Sequence, residues 1–162
     1  MNKKKIKLKV GDIISFELEE QKYGFARVIA KVSLGDAICV FNYFSNDIND
    51  YEKAIQHPLL FDPVILDTHS LFWRRLEGNW SLIKRDNKYI HEDKSKYKYK
   101  YGVKGSYKLI DLNNNTYTDI SQEVAEKYPD YISYGDYGIK RRILFLLEKL
   151  QSNESEKSEF ET

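Results

Sequence analysis

The sequence predicts an α+β fold, a curved antiparallel sheet laid down first and covered by helices that come last. Three observations predict it. Between Asp12 and Ile29 the residues alternate in character, Ile14, Phe16 and Leu18 against Ile13, Ser15 and Glu17, then Tyr23, Phe25, Arg27 and Ile29 against Gly24, Ala26 and Val28. That period of two marks strands whose two faces see different surroundings. Residues Ala37–Phe44 are apolar almost throughout, as in a strand buried on both faces. Only near the end does the period become helical, with Ile139, Ile143, Leu146, Leu147 and Leu150 on one side and Lys140, Arg141, Glu148 and Lys149 on the other.

The elements follow in order. Ile6, Leu8 and Val10 alternate with Lys7 and Lys9, which predicts a short first strand. Glu19, Glu20 and Gln21 form a hairpin connection between the two alternating runs. Gly35-Asp36 turns the chain into the apolar strand, and Ser45–Lys53 is a polar connection. Pro58 and Pro63 bracket an extended piece with no helix period. Leu66–Arg74 reads as a strand, Glu77-Gly78-Asn79 as a turn and Trp80–Lys84 as the returning strand. Lys84–Lys96 reads as a long exposed loop. Tyr97, Tyr99 and Tyr101 then lie on one strand face with Lys96, Lys98 and Lys100 on the other. Tyr107–Leu112 resumes the sheet, and Asn113-Asn114-Asn115 turns it before Thr116–Thr118. Asp119 and Ser121 are both candidate N-caps for a short helix through Lys127, stopped by Pro129. Residues 1–150 are expected to form one domain, and the Ser/Glu-rich residues 151–162 a disordered acidic tail.

The chain has 162 residues, 41% hydrophobic and 31% charged, a balance that supports a folded core. Aromatics make up 14%, thirteen of them tyrosines, which suits half-buried strands. No run approaches the roughly 20 apolar residues of a membrane helix, and the basic start lacks the apolar stretch of a signal peptide. Cys39 is the single cysteine, so no intrachain disulfide forms. The expected setting is cytoplasmic. The net charge is +1, but residues 84–108 hold nine Lys/Arg against three acids, and the tail is acidic. Such asymmetry marks either an interaction surface or a solvated face.

Catalytic chemistry is not visible. His57, His69 and His91 share no short metal-binding spacing, there is no C-x-x-C, and no nucleophile elbow or phosphate-cradling glycine loop occurs. Cys39, set in an apolar strand, reads as a structural thiol. No cofactor or metal is expected. Arg27 shares a strand face with Tyr23, Phe25 and Ile29, where a guanidinium either snorkels past the edge or pairs with a carboxylate, Asp12 being the nearest in sequence. Tyr23, Arg27, Trp73 and Trp80 are the candidate partner-binding residues, because aromatic and Arg side chains anchor interfaces when exposed. The alternating Tyr/Lys stretch at 96–101 has the composition of a nucleic-acid surface, but its two residue types face opposite ways.

The opening GDIISFELEEQKYGFARVI resembles the immunity protein 26 family, whose members protect bacteria from polymorphic toxins. Gly11-Asp12, Tyr23-Gly24-Phe25 and Arg27-Val28 carry the likeness, and Gly78–Ile83 resembles the family's later Trp strand. Ala26 stands where the family usually has glycine. The resemblance implies a mostly β fold and a cytoplasmic protein that neutralises a cognate toxin domain by occlusion, with no chemistry of its own. Some members are labelled phosphotriesterases, an activity that needs a histidine-rich binuclear site this sequence does not spell out. The same opening is similar to SH3-like barrels, which implies a strongly bent sheet and leaves an SH3-like nucleic-acid-binding module as the alternative.

Overall fold

A computed structural model describes residues 5–74, 79–91 and 93–160. The fold is α+β. Among the described residues nine strands, β1 (Ile13–Glu19), β2 (Lys22–Val32), β3 (Gly35–Ser45), β4 (Val64–Leu66), β5 (Ser81–Lys84), β6 (Lys98–Tyr101), β7 (Lys108–Asp111), β8 (Thr116–Tyr117) and β9 (Ser133–Tyr134), form two sheets. The larger has the order β5-β1-β2-β3-β4-β9 and the smaller β6-β7-β8. Three α-helices accompany them among the described residues, α1 (Tyr51–Ala54), α2 (Gln122–Ala125) and α3 (Asp136–Phe160).

The alternation of the opening ribbon is realised as a sheet buried on both faces. On one face Ile14, Phe16, Leu18, Ala26, Val28, Ile38 and Val40 form the main core with Leu71, Phe72, Trp80 and the α3 residues Ile139 and Ile143. On the other face Ile29, Ala37 and Cys39 meet Tyr99 of the small sheet and Leu112 just after β7, while Phe25 and Phe41 pack on Ala54 of α1. The Tyr99 hydroxyl donates to the Pro63 carbonyl at 2.5 Å and ties the small sheet to the large one. The β1–β2 hairpin closes over Glu20-Gln21, with Gln21 in the left-handed region at φ +58°.

Several elements differ from the sequence expectation. Residues 6–10 are not a strand: both sides of β1 are taken, by β2 and β5, so the Ile6 N–H goes to the Phe72 carbonyl and Leu8 is buried out of register. The strand expected at Leu66–Arg74 stops at Leu66. The Asp67 carboxylate accepts both the Ser70 N–H and its hydroxyl, and His69–Arg74 winds into a π-helix that sinks Leu71 and Phe72 into the core. The turn expected at 77–79 lies largely outside the described residues. β5 forms as expected but pairs with β1.

The large sheet is not purely antiparallel, because the chain returns from the small sheet and lays β9 parallel to β4. Among the described residues it does not close into a barrel: β5 and β9 remain its two ends. The end of the polar 45–53 connection winds into the single turn of α1, which runs on to the buried Ala54 and is not expected from the sequence. Of the two candidate caps for the short helix, Ser121 is the one used, accepting the Val124 N–H. The acidic tail, expected to be disordered, continues α3 through Phe160. From Gln151 to Glu159 every residue is exposed, so its helix rests on backbone bonds and hydroxyl contacts such as Ser155 Oγ to the Gln151 carbonyl, not on packing. No described helix is long and apolar enough to cross a membrane.

Candidate functional site

The second face of the large sheet carries a groove between α1 and the 84–91 segment. Its floor is Arg27, Cys39 and Phe41, and its walls are Ile55, Leu59, Tyr89 and His91, enclosing about 300 Å³. A second depression of about 290 Å³, bounded by Tyr51, Glu52, Lys84 and Arg85, joins it at Arg27 and Ile55.

Local sequence explains the geometry. β2 presents Arg27 on the same face as Tyr23, Phe25 and Ile29, two residues apart along the strand. The 84–91 segment is drawn over this face by Gly11, whose φ of +96° and missing Cβ let the Asp86 carbonyl approach; any side chain there would collide with that carbonyl. Asp86 accepts from Arg27 at 3.4 Å, and the Tyr89 ring lies over the guanidinium with 4.2 Å from Cζ to its centroid. Asp12 is therefore not the partner of Arg27. Its carboxylate, 1% exposed, accepts from Arg85 at 2.9 Å and from the Lys9 N–H at 2.8 Å, fixing the other end of the same segment. One observation unites the four: Arg27, Asp86, Asp12 and Arg85 form two ion pairs that hold the groove wall against the sheet.

The groove is therefore close to neutral, and its lining mixes the apolar Phe41, Ile55 and Leu59 with the polar Arg27, Tyr89 and His91. Ile55 and Leu59 keep 39% and 38% of their surface open to solvent, which leaves two aliphatic contacts beside an aromatic ring. Burial pushes the Cys39 thiol up to about 12, with the Arg27 charge pulling weakly the other way, so the sulfur on the groove floor stays protonated. Burial also raises the Tyr89 hydroxyl. Among the described residues no group of three His, Cys, Asp or Glu is placed to hold a metal ion.

The expected site residues do not all meet here. Tyr23 and Arg27 share the groove face, Tyr23 packing with Phe25, Phe41 and Tyr43 at its far end. Trp80 lies on the opposite face, 5% exposed, stacked on Phe16 at 4.8 Å and donating through Nε1 to Asp136 at 2.7 Å. The Trp73 side chain lies outside the described residues. Part of the basic stretch is engaged within the fold, Lys98 lying over the Tyr117 ring and Lys100 pairing with Asp130, while Lys84, Lys88, Lys104 and Lys108 are exposed. Ile55, Leu59 and Tyr89 were missed by sequence reasoning, since each sits in a segment without periodicity and only the tertiary fold brings them together.

The family model of immunity protein 26 matches residues 9–109, more than half of the chain. The chain belongs to the immunity protein 26 family. No curated protein and no solved structure matches it. Every residue of the groove falls inside the part shared with immunity protein 26, whereas α3 falls outside it.

Proposed function

We propose that this chain is a cytoplasmic immunity protein that binds a cognate toxin domain of a bacterial polymorphic system and blocks it by occlusion, without chemistry of its own. The observation that carries this reading is the family match over residues 9–109, which contains the whole groove. The groove supports a partner side chain seated by shape and apolar contact. Ile55, Leu59 and Tyr89 form a receptive surface, while the paired Arg27 and Arg85 hold its walls and contribute little net field. An apolar or aromatic side chain of the toxin fits this chemistry, with Lys84 and Glu52 at the rim setting orientation.

The test is co-expression with the toxin domain encoded beside this chain. Cells should survive, the two proteins should co-purify, and protection should require stoichiometric amounts. Ile55→Glu and Leu59→Glu place a charge on half-open surface, so the fold should persist while affinity falls about tenfold or more, the scale of one interface anchor. Failure to rescue or co-purify refutes the immunity reading. Protection by a small fraction of the toxin's molar amount refutes occlusion in favour of catalysis.

A further inference from the structure

α3 presents a second surface, on a different element from the groove and outside the family-matched residues. One side of the helix buries Ile139 and Ile143 and half-buries Leu147 against the core. Away from the core, Tyr137 is 69% and Phe145 61% exposed; between them and the core lies Leu144, half-buried with part of its side chain on the main core, and a depression of about 500 Å³ runs along this side from Asp136 to Glu148. Aromatic and Arg side chains on open surface have the composition of an interface core.

The spacing on this side is specific. Tyr137, Arg141, Leu144 and Glu148 are separated by four, three and four residues, the seam of two paired helices. Its charges are placed symmetrically about the Leu144-Phe145 peptide: Arg141 lies as far before it as Glu148 lies after it. A parallel pair would set Arg141 against Arg141. An antiparallel pair about a two-fold axis sets Arg141 against Glu148 of the other copy, twice, with Leu144 and Phe145 of both copies between them. The same axis relates Lys140 to Lys149 of the other copy; the Lys140 charge is tied to Asp136 of its own chain at 2.6 Å, and Lys149 lies over its own Phe145 ring, 5.7 Å from the centroid, so neither stands bare at the contact. Arg141 already lies over the Tyr137 ring, 6.0 Å from its centroid, which keeps the guanidinium on the seam side.

We propose that two copies of this chain associate through α3 as an antiparallel, two-fold symmetric helix pair. The occupant is a second copy, since the charge pattern is complementary to itself in one orientation only. The test is sedimentation velocity on the full chain from micromolar to high-micromolar protein, with variants at exposed positions whose folding is checked by circular dichroism. The wild type should show a concentration-dependent dimer. R141E and E148R should each weaken it by about tenfold, because each places like charges together at both ends of the seam. Mixed in equal amounts, R141E and E148R should form a heterodimer, in which both contacts are again between opposite charges, and the double variant R141E/E148R should dimerise as the wild type does. A wild type that is monomeric throughout, including one whose α3 face is covered only by another protein, overturns the proposal. So does a mixture that fails to restore association.

Discussion

Gly24 shows how tightly the sheet and the main core depend on one another. Its φ is ordinary, so backbone freedom does not call for glycine there. A Cβ built on Gly24 would lie 2.6 Å from Phe16 Cε2 and closer still to Cζ, where ordinary contact begins at 3.4 Å. The ring must retreat by roughly 1 Å, but it is fully buried and stacked on Trp80, which is in turn hydrogen-bonded to Asp136 of α3. Such overpacking costs about 1–3 kcal/mol, and this approach belongs in the upper part of that range. Alanine returns about 0.4–1 kcal/mol by restricting the unfolded chain. Gly24→Ala should therefore destabilise by about 1–2.5 kcal/mol and lower Tm by roughly 2–10 °C in a chain of this size. The decisive assay is a double-mutant cycle by urea unfolding. Phe16→Leu removes the ring atoms that collide, so in that background Gly24→Ala should turn neutral or slightly stabilising. Equal destabilisation in both backgrounds would refute the steric account.

Three further outcomes are expected. Cys39, 4% exposed and held protonated by burial, should resist a maleimide reagent in the native protein and react fully once the chain is unfolded; rapid native labelling would show that the groove floor is open. Asp111 accepts from the Asn113 and Asn115 N–H groups, the Asn115 amide and the Tyr117 hydroxyl, and although burial works against its charge these bonds together hold its carboxyl below the usual range. Its stabilisation is thus full above the unfolded carboxyl value of about 3.9 and is lost as pH falls through the lower folded value, so Asp111→Asn should cost about 1–3 kcal/mol at pH 7, and denaturant midpoints should show that gap shrinking towards pH 3. A gap independent of pH would contradict the assignment. Deleting residues 152–162 should change Tm by no more than about 2 °C at low protein concentration, because from Gln151 to Glu159 every residue is exposed; a larger fall would mean that the tail docks.

The residues themselves determined what depends on neighbours in the chain. Alternation at 13–32 set two strands and the two faces of each, and the apolar run at 37–44 set a strand covered on both sides, because a period of two or an unbroken apolar stretch has few other low-energy outcomes. The helical spacing of Ile139 and Ile143 placed α3 on the core for the same reason. The family likeness was legible in the same ribbon, which lies inside the matched residues 9–109. Tertiary structure alone decided the rest. Asp12 was the nearest carboxylate to Arg27 in sequence, yet Arg27 pairs with Asp86, 59 residues away, because Gly11 lets that segment cross the sheet. Trp80, a candidate interface anchor by residue type, is a core residue because β5 joins β1 and turns the indole towards α3. The groove joins Arg27 of β2 and Cys39 and Phe41 of β3 to Ile55 and Leu59 from the chain beyond α1 and Tyr89 and His91 from the 84–91 segment. Which nonlocal segments meet is governed by the packing energy of the whole core, which no local window of the chain contains.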